Sequence, residues 1–260
     1  MPSSSDSTRR FSNRVADYVR YRPGYPPGVI ALLRARCALG PSRVVADIGS
    51  GTGIFTDLLL ATGATVHALE PNPEMRAAAE TFLAGRPGLH SQTGTAESTA
   101  LAPASVDLIT AAQAFHWFDP EPARREFRRI LRPGGWIALI WNDRLSDGSP
   151  FLVGYEALLR TFATDYSQVN HRNVDAAAVT AFLAPAVVTF HTFPNQQIFD
   201  YAGARGRLLS SSYAPTPDDP RHAPMLDELR RLVERHGDDG HVVFAYRTIV
   251  HLARWDAATP

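Results

Sequence analysis

Residues 43–48, Arg-Val-Val-Ala-Asp-Ile, form a short, nearly unbroken apolar run that passes directly into Gly49-Ser50-Gly51-Thr52-Gly53. Such a run predicts a strand buried on both faces, and the apolar spacing over 54–61 predicts a helix directly after it. A strand of that kind needs helices above and below it, so this one unit commits the chain to a layered α/β architecture. The pattern then repeats. Strands are expected at 65–70, weakly at 89–93, at 106–111 and at 136–141, with helices at 73–84 and 120–131, the latter stopped by Pro133-Gly134-Gly135.

Upstream, the spacing of Phe11, Val15, Tyr18 and Val19 predicts a helix over 11–21 that ends at Arg22-Pro23-Gly24-Tyr25-Pro26-Pro27, followed by a helix over 28–39. Downstream, helical stretches are expected at 151–166 and 175–183, an amphipathic helix at 225–236, and β-rich runs at 186–199 and 241–251. Those two late strands lack the spacing of a strand–helix–strand crossover, so an antiparallel pair appended to one sheet edge is expected.

The residue types exclude several chemistries. All 26 basic residues are Arg, and they balance 26 acidic residues. Without a Lys, neither a phosphate-gripping Walker loop nor a Schiff base is available. A net charge of +0 gives no global field for nucleic acid or an anionic membrane. The arginines at 124, 125, 128, 129 and 132 read as a solvated helix face. The lone Cys37 rules out an intrachain disulfide and a Cys-rich zinc site, and no metal is expected. The polar start, the missing apolar leader and the absence of any run of about 18 apolar residues point to a cytoplasmic protein that does not enter a membrane.

Three glycines at alternate positions, where a buried strand turns into a helix, let backbone N–H groups approach a ligand without interference from Cβ atoms. A dinucleotide fingerprint needs its third glycine at position 54, which is Ile54, so a nicotinamide-cofactor oxidoreductase is the weaker reading. Glu70 closes the second strand at the edge where an acid can accept hydrogen bonds from ribose hydroxyls. Asp47, Gly49, Gly51, Gly53 and Glu70 therefore form one constellation.

The succession DIGSGTG, LEPNPEM, GTAE, SVDLITAAQAFHWFD and ILRPGGWIALIWND resembles the ordered motifs of class I S-adenosylmethionine-dependent methyltransferases, over roughly residues 40 to 145. FSNRVADYVRYRPGYP and SSSY are similar to a small-molecule subgroup, the trans-aconitate methyltransferase branch. The resemblance implies a Rossmann-like, doubly wound seven-stranded sheet, mostly parallel with an antiparallel edge strand, plus an N-terminal helical lid and C-terminal helical insertions. The implied domain plan is a tail over 1–10 and a single domain over 11–260. That domain divides into lid helices at 11–40, a cofactor core at 41–145, substrate-cap insertions at 146–240, and a last strand and tail at 241–260.

The resemblance also implies roles for individual residues. Gly49, Ser50, Gly51 and Gly53 would cradle the amino-acid part of S-adenosylmethionine, and Glu70 would bind its ribose. Pro71, Asn72 and Met75 would flank the adenine, and Ala96 and Glu97 would meet its edge. Thr95 stands where many relatives have Asp, so no side-chain bond is carried over there. Gln113 would face the methionine part, and Tyr18 and Arg22 would close over its carboxylate.

Methyl transfer from a sulfonium needs positioning and exclusion of water more than acid–base chemistry. A carboxylate acceptor needs no base, whereas an alcohol or amine does. The candidate base is His116, just past the fourth strand, the alternative being that this corner only packs. Trp117 beside His116, and Tyr166, His171, Ser210, Ser211 and Tyr213 in the irregular part of the chain, where loops would shape a cavity, are candidate acceptor-binding residues. The expected activity is methylation of a small acceptor, most simply at a carboxylate or hydroxyl oxygen. The alternatives are a protein that binds S-adenosylmethionine without transferring methyl, and the oxidoreductase.

Overall fold

A computed structural model describes residues 20–164, 166 and 176–255. The tail, most of the expected helix over 11–21, Tyr18 and His171 lie outside the described residues. Arg20 and Tyr21 are helical, as that expectation requires.

Seven strands form one sheet: β1 (Val44–Ile48), β2 (Thr65–Leu69), β3 (Leu89–Gln92), β4 (Val106–Ala112), β5 (Leu131–Arg144), β6 (Val188–Phe199) and β7 (Val242–Trp255). Their order across the sheet is β3-β2-β1-β4-β5-β7-β6. The β1–β2, β1–β4, β2–β3 and β4–β5 ladders are parallel. The expected antiparallel pair sits at the β5 edge, with β7 running against both β5 and β6.

The helices of the described residues are α1 (Pro27–Cys37), α2 (Ile54–Leu60), α3 (Pro73–Phe82), α4 (Pro120–Ile130), α5 (Pro150–Phe162), α6 (Ala176–Leu183), α7 (Tyr201–Leu209) and α8 (His222–His236). Alternate residues of the strands face two separate cores, because successive side chains point to opposite faces. Val45, Leu108, Ala138 and Ile140 pack with Val29 and Leu33 of α1 and Phe55 and Leu59 of α2. Ala46, Ile109, Ile137 and Leu139 pack on the other face with Phe127 of α4 and Phe182 of α6. A third core lies among α5, α7, α8 and the start of β7, centred on Tyr155, Leu229 and Phe244.

Two features exceed the sequence reading. Helix α7 falls in a stretch read as irregular, because Gly203 and Gly206 weaken its helical signal. What holds it is tertiary: Asp200 caps its start by accepting from the Gly203 N–H at 2.7 Å, and Ala204 and Leu208 are buried in the third core. Strand β5 runs to Arg144, four residues past Ile140, its last partner on β4, because β7 continues to pair with it. The sheet therefore carries a three-stranded ledge of β5, β7 and β6 beyond its carboxyl edge.

The arginine-rich α4 is not a free basic face. Arg129 pairs with Glu126 at 2.7 Å, Arg124 donates to the Ala184 carbonyl, and Arg128 lies over the Trp255 ring. No helix among the described residues is long and apolar enough to cross a membrane.

Candidate active site

The turn from β1 into α2 takes three left-handed glycines, with φ of +68° at Gly49, +58° at Gly51 and +85° at Gly53. They are needed for different reasons. A Cβ at Gly49 would stand 2.6 Å from the Ala114 Cβ, and one at Gly53 would stand 2.8 Å from Leu83. At Gly51 the nearest atom would be Met75 Cε at 3.6 Å, so the protein leaves space beside that backbone. The loop is a cradle open at Gly51 and closed on either side of it.

Hydrogen bonds hold it in place. The Gly49 and Ser50 N–H groups donate to the Leu69 carbonyl at 2.9 and 3.0 Å. The Gly51 N–H donates to Glu70 Oε2 at 2.9 Å, and the Asn72 N–H to Glu70 Oε1 at 2.8 Å. Glu70 thus grips the loop and its own following turn, and each carboxylate oxygen keeps a lone pair for a further donor. Burial lifts its pKa above the ordinary carboxylate value against the pull of those backbone donors and Arg76. The Asn72 side chain caps α3 by accepting from the Glu74 and Met75 N–H groups, which seats buried Met75 beside the cradle.

Asp47 sits beneath the loop rather than facing the space above it. It is 1% exposed, and its two oxygens accept from Thr56 and Thr110, each at 2.7 Å. Burial pushes its pKa up to about 6, against those two hydroxyl donors. Thr110 is its ladder partner on β4, so Asp47 pins the ends of β1, β4 and α2 together.

At the end of β4, Gln113 adopts a left-handed φ of +59°, unusual for a residue with a Cβ. The strain is held by two bonds to β5: its N–H donates to the Ile140 carbonyl at 2.8 Å, and its Nε2 to the Asn142 carbonyl at 3.1 Å. Beyond it Phe115–Trp117 form one 3₁₀ turn. Phe115 is locked among Phe118, Trp141 and Phe182. Half-buried His116 and Trp117 follow it at the carboxyl end of β4, their rings 4.8 Å apart. Glu97 ties the GTAE segment to this corner by accepting from the Asp119 N–H at 2.9 Å, and Ala96 is buried behind it.

The segment before α1 crosses the ledge. Asn142 Nδ2 donates to the Gly24 carbonyl at 3.1 Å, as does Asn195 Nδ2 at 2.9 Å. Gln197 Nε2 donates to the Tyr21 carbonyl at 3.0 Å, and Arg22 to the Ser210 carbonyl at 3.0 Å. Residues 21–24 are thereby fastened across the carboxyl side of the sheet, next to Gln113.

On that ledge the structure brings Arg144, Glu156 and Arg207, which sequence reasoning passed over, together with the expected candidates Tyr166, Ser211 and Tyr213. Arg144 is bound to Glu156 at 2.6 Å and donates to Tyr166 Oη at 3.1 Å. Hydrogen bonds from Tyr166 and Arg144, together with the Arg144 charge, outweigh burial and hold Glu156 below its usual range. Tyr166, its pKa pushed up to about 12 chiefly by burial, packs edge-on against Tyr213. Ser211 is fully buried and its hydroxyl oxygen accepts from Arg207 at 3.1 Å. Ser210, expected in a loop, caps the end of α7. Asn142 and Arg144, polar residues at alternate positions closing an apolar strand, were a readable signal; Arg207 and Tyr155 carried none.

The donor set suits S-adenosylmethionine: a glycine cradle with unfilled space, and a buried acid with free lone pairs at the next strand end. A methyltransferase domain model matches residues 46–139. The chain is 33% identical over 244 residues to an uncharacterised methyltransferase of Schizosaccharomyces pombe, covering 94% of this chain and 96% of that one. It is 42% identical over 142 residues to an uncharacterised methyltransferase of Mycobacterium tuberculosis, a match spanning 55% of this chain and 56% of that protein. The solved Haemonchus contortus phosphoethanolamine N-methyltransferase 2, in complex with S-adenosyl-L-methionine, shares the fold, with a TM-score of 0.60 at 14% identity over 98% of this chain and 60% of that one. Motif order, sheet topology and full-length similarity agree: the chain belongs to the class I S-adenosylmethionine-dependent methyltransferases.

Proposed function

We propose that this protein transfers the methyl group of S-adenosylmethionine to an oxygen of a small acceptor. The observation that carries the reading is the fastening of residues 21–24 across the carboxyl side of the sheet by Asn142, Asn195 and Gln197. A site bridged by the chain's own backbone suits a small acceptor better than a macromolecule. The N–H and O–H donors gathered on the ledge favour an acceptor oxygen over a cationic amine.

When bound, the cofactor supplies a methyl group already activated by the sulfonium charge. The Gly49–Gly53 backbone and Glu70 would hold it, with Met75 and Asn72 beside the adenine and Ala96 and Glu97 at its edge. Gln113, fixed by two bonds to β5, would orient the methionine end. Positioning and exclusion of water can supply about 7–11 kcal/mol of such a barrier. His116, half-buried in the turn after β4, would serve as the base if the acceptor is an alcohol; a carboxylate acceptor is already ionised at neutral pH.

The test is to incubate the full chain with S-adenosylmethionine and a library of small acids and alcohols, following S-adenosylhomocysteine and the mass shift of the acceptor. Binding without any methylated product would overturn the proposal. For an alcohol product, His116→Ala is expected to lower turnover by about 10²–10⁴-fold with cofactor binding intact. For a carboxylate product the same variant should change turnover little.

A further inference from the structure

We infer that Arg207 is an anion-binding residue at the acceptor end of the site, taking a carboxylate or phosphate group carried by the methyl acceptor. This rests on the reading of the ledge as the acceptor site.

Arg207 is 5% exposed, and a guanidinium does not give up its proton in a protein. Its partners are two neutral hydroxyls: Nε donates to Tyr246 Oη at 3.0 Å, and one terminal nitrogen to Ser211 Oγ at 3.1 Å. No carboxylate among the described residues pairs with it. Buried charges are ordinarily paired, because leaving water without compensation is expensive. Arg144, in the same region, shows the ordinary solution in its bond to Glu156. Among the described residues, the buried carboxylate beside these guanidiniums is Glu156, and it pairs with Arg144, which leaves the Arg207 charge without a carboxylate.

The surrounding donors point the same way. Two bonds use two of the five N–H groups of Arg207, leaving part of a planar fork that matches a two-oxygen anion. The fully buried Tyr155 hydroxyl has no hydrogen-bond partner and lies close enough to Arg207 to interact with its charge. An oxyanion would supply the missing charge and accept the unused donors.

The residue is also wired to the edge of the sheet where the cofactor cradle opens. Tyr246, directly opposite Arg144 in the β5–β7 ladder, donates to Gln197 Oε1 at 2.9 Å, and Gln197 holds the Tyr21 carbonyl. Arg22 of the same segment holds the Ser210 carbonyl at the end of α7, one turn from Arg207. An anion at Arg207 would lie against the segment that bridges the site.

The test offers small acceptors to the full chain in matched pairs, each as a free carboxylate or phosphate monoester and as its uncharged amide or methyl ester. Turnover is expected only for the charged members, and the preferred series tells carboxylate from phosphate. Arg207→Gln should raise KM for the charged acceptor by about a hundredfold. Its kcat and its S-adenosylmethionine affinity by calorimetry should barely move. Arg207→Lys, which keeps the charge but loses the fork, should raise KM less, and serves if the Gln variant does not fold. Preferred turnover of an uncharged acceptor, or an unchanged KM in the variants, would overturn the inference. A second measurement separates it from methyl transfer itself. Succinate or inorganic phosphate should raise the Tm of the wild type and not of Arg207→Gln. That result with no methylated product would overturn the transfer reading alone. A wild type that shows neither the anion preference nor the anion stabilisation would overturn the assignment of Arg207.

Discussion

The cradle at the ends of β1 and β2 and the ledge at the ends of β5 and β7 are both polar sites on the same edge of one sheet, but they are wired differently. In the cradle, partners are close in sequence: Glu70 holds Asn72 two residues away and Gly51 nineteen away. On the ledge, Gln197 reaches Tyr21 across 176 residues and Arg22 reaches Ser210 across 188. The cradle is made of backbone N–H groups and needs glycines and one acid. The ledge is made of long side chains whose charges must be balanced by whatever the fold brings near. A site of the first kind is carried by a motif, while one of the second kind can vary without disturbing the first.

That contrast can be broken most severely at Arg144. Removing Arg144 takes the buried cation from Glu156 and leaves it the Tyr166 hydroxyl at 2.8 Å and the exposed Arg160 at 3.2 Å, so Arg144→Met should destabilise the protein by about 3 kcal/mol, the lower end for a broken buried pair, in chemical denaturation. S-adenosylmethionine should still bind below the melting range. Equal losses of stability and of cofactor affinity would show that cradle and ledge are one energetic unit.

Smaller effects are expected from the cradle side. Glu70→Ala should lower S-adenosylmethionine affinity by about 1–3 kcal/mol, the usual loss when buried hydrogen-bonding groups are left unpaired. Gly51→Val should lose more, because a branched side chain would fill the space beside the loop and φ there is +58°. Calorimetry checks both, and unchanged affinity in both would remove the cradle as the cofactor site.

The smallest effect sharpens the comparison through pH. Asp47 is raised from 3.8 to about 6, so the native state binds a proton that the unfolded chain has already released between those values. Its contribution to stability is complete below about pH 4 and is lost as pH rises through about 6. The Tm of the wild type minus that of Asp47→Asn should therefore be larger at pH 5 than at pH 7.5, since Asn does not titrate. A difference independent of pH would mean that the Asp47 carboxyl is not perturbed by burial.

The sheet's parallel half and the cradle were legible in the chain's local pattern. An apolar run entering alternate glycines, and an acid ending the next strand, have one economical arrangement, because backbone geometry over a few residues dictates it. The antiparallel pair at the other edge was also legible, since two late strands without crossover spacing have no parallel solution. Helix α7 was not legible, because its glycines argue against a helix and only the cap at Asp200 and the burial of Ala204 and Leu208 hold it. Nor was the position of Asp47 beneath the loop, which depends on Thr110 of a strand 63 residues away. That Arg207 lies buried with two hydroxyls and, among the described residues, no carboxylate was settled only by the tertiary structure. A charge balance at one point in space is summed over residues from four separate elements, β5, α5, α7 and β7, and no local pattern in the chain records that sum.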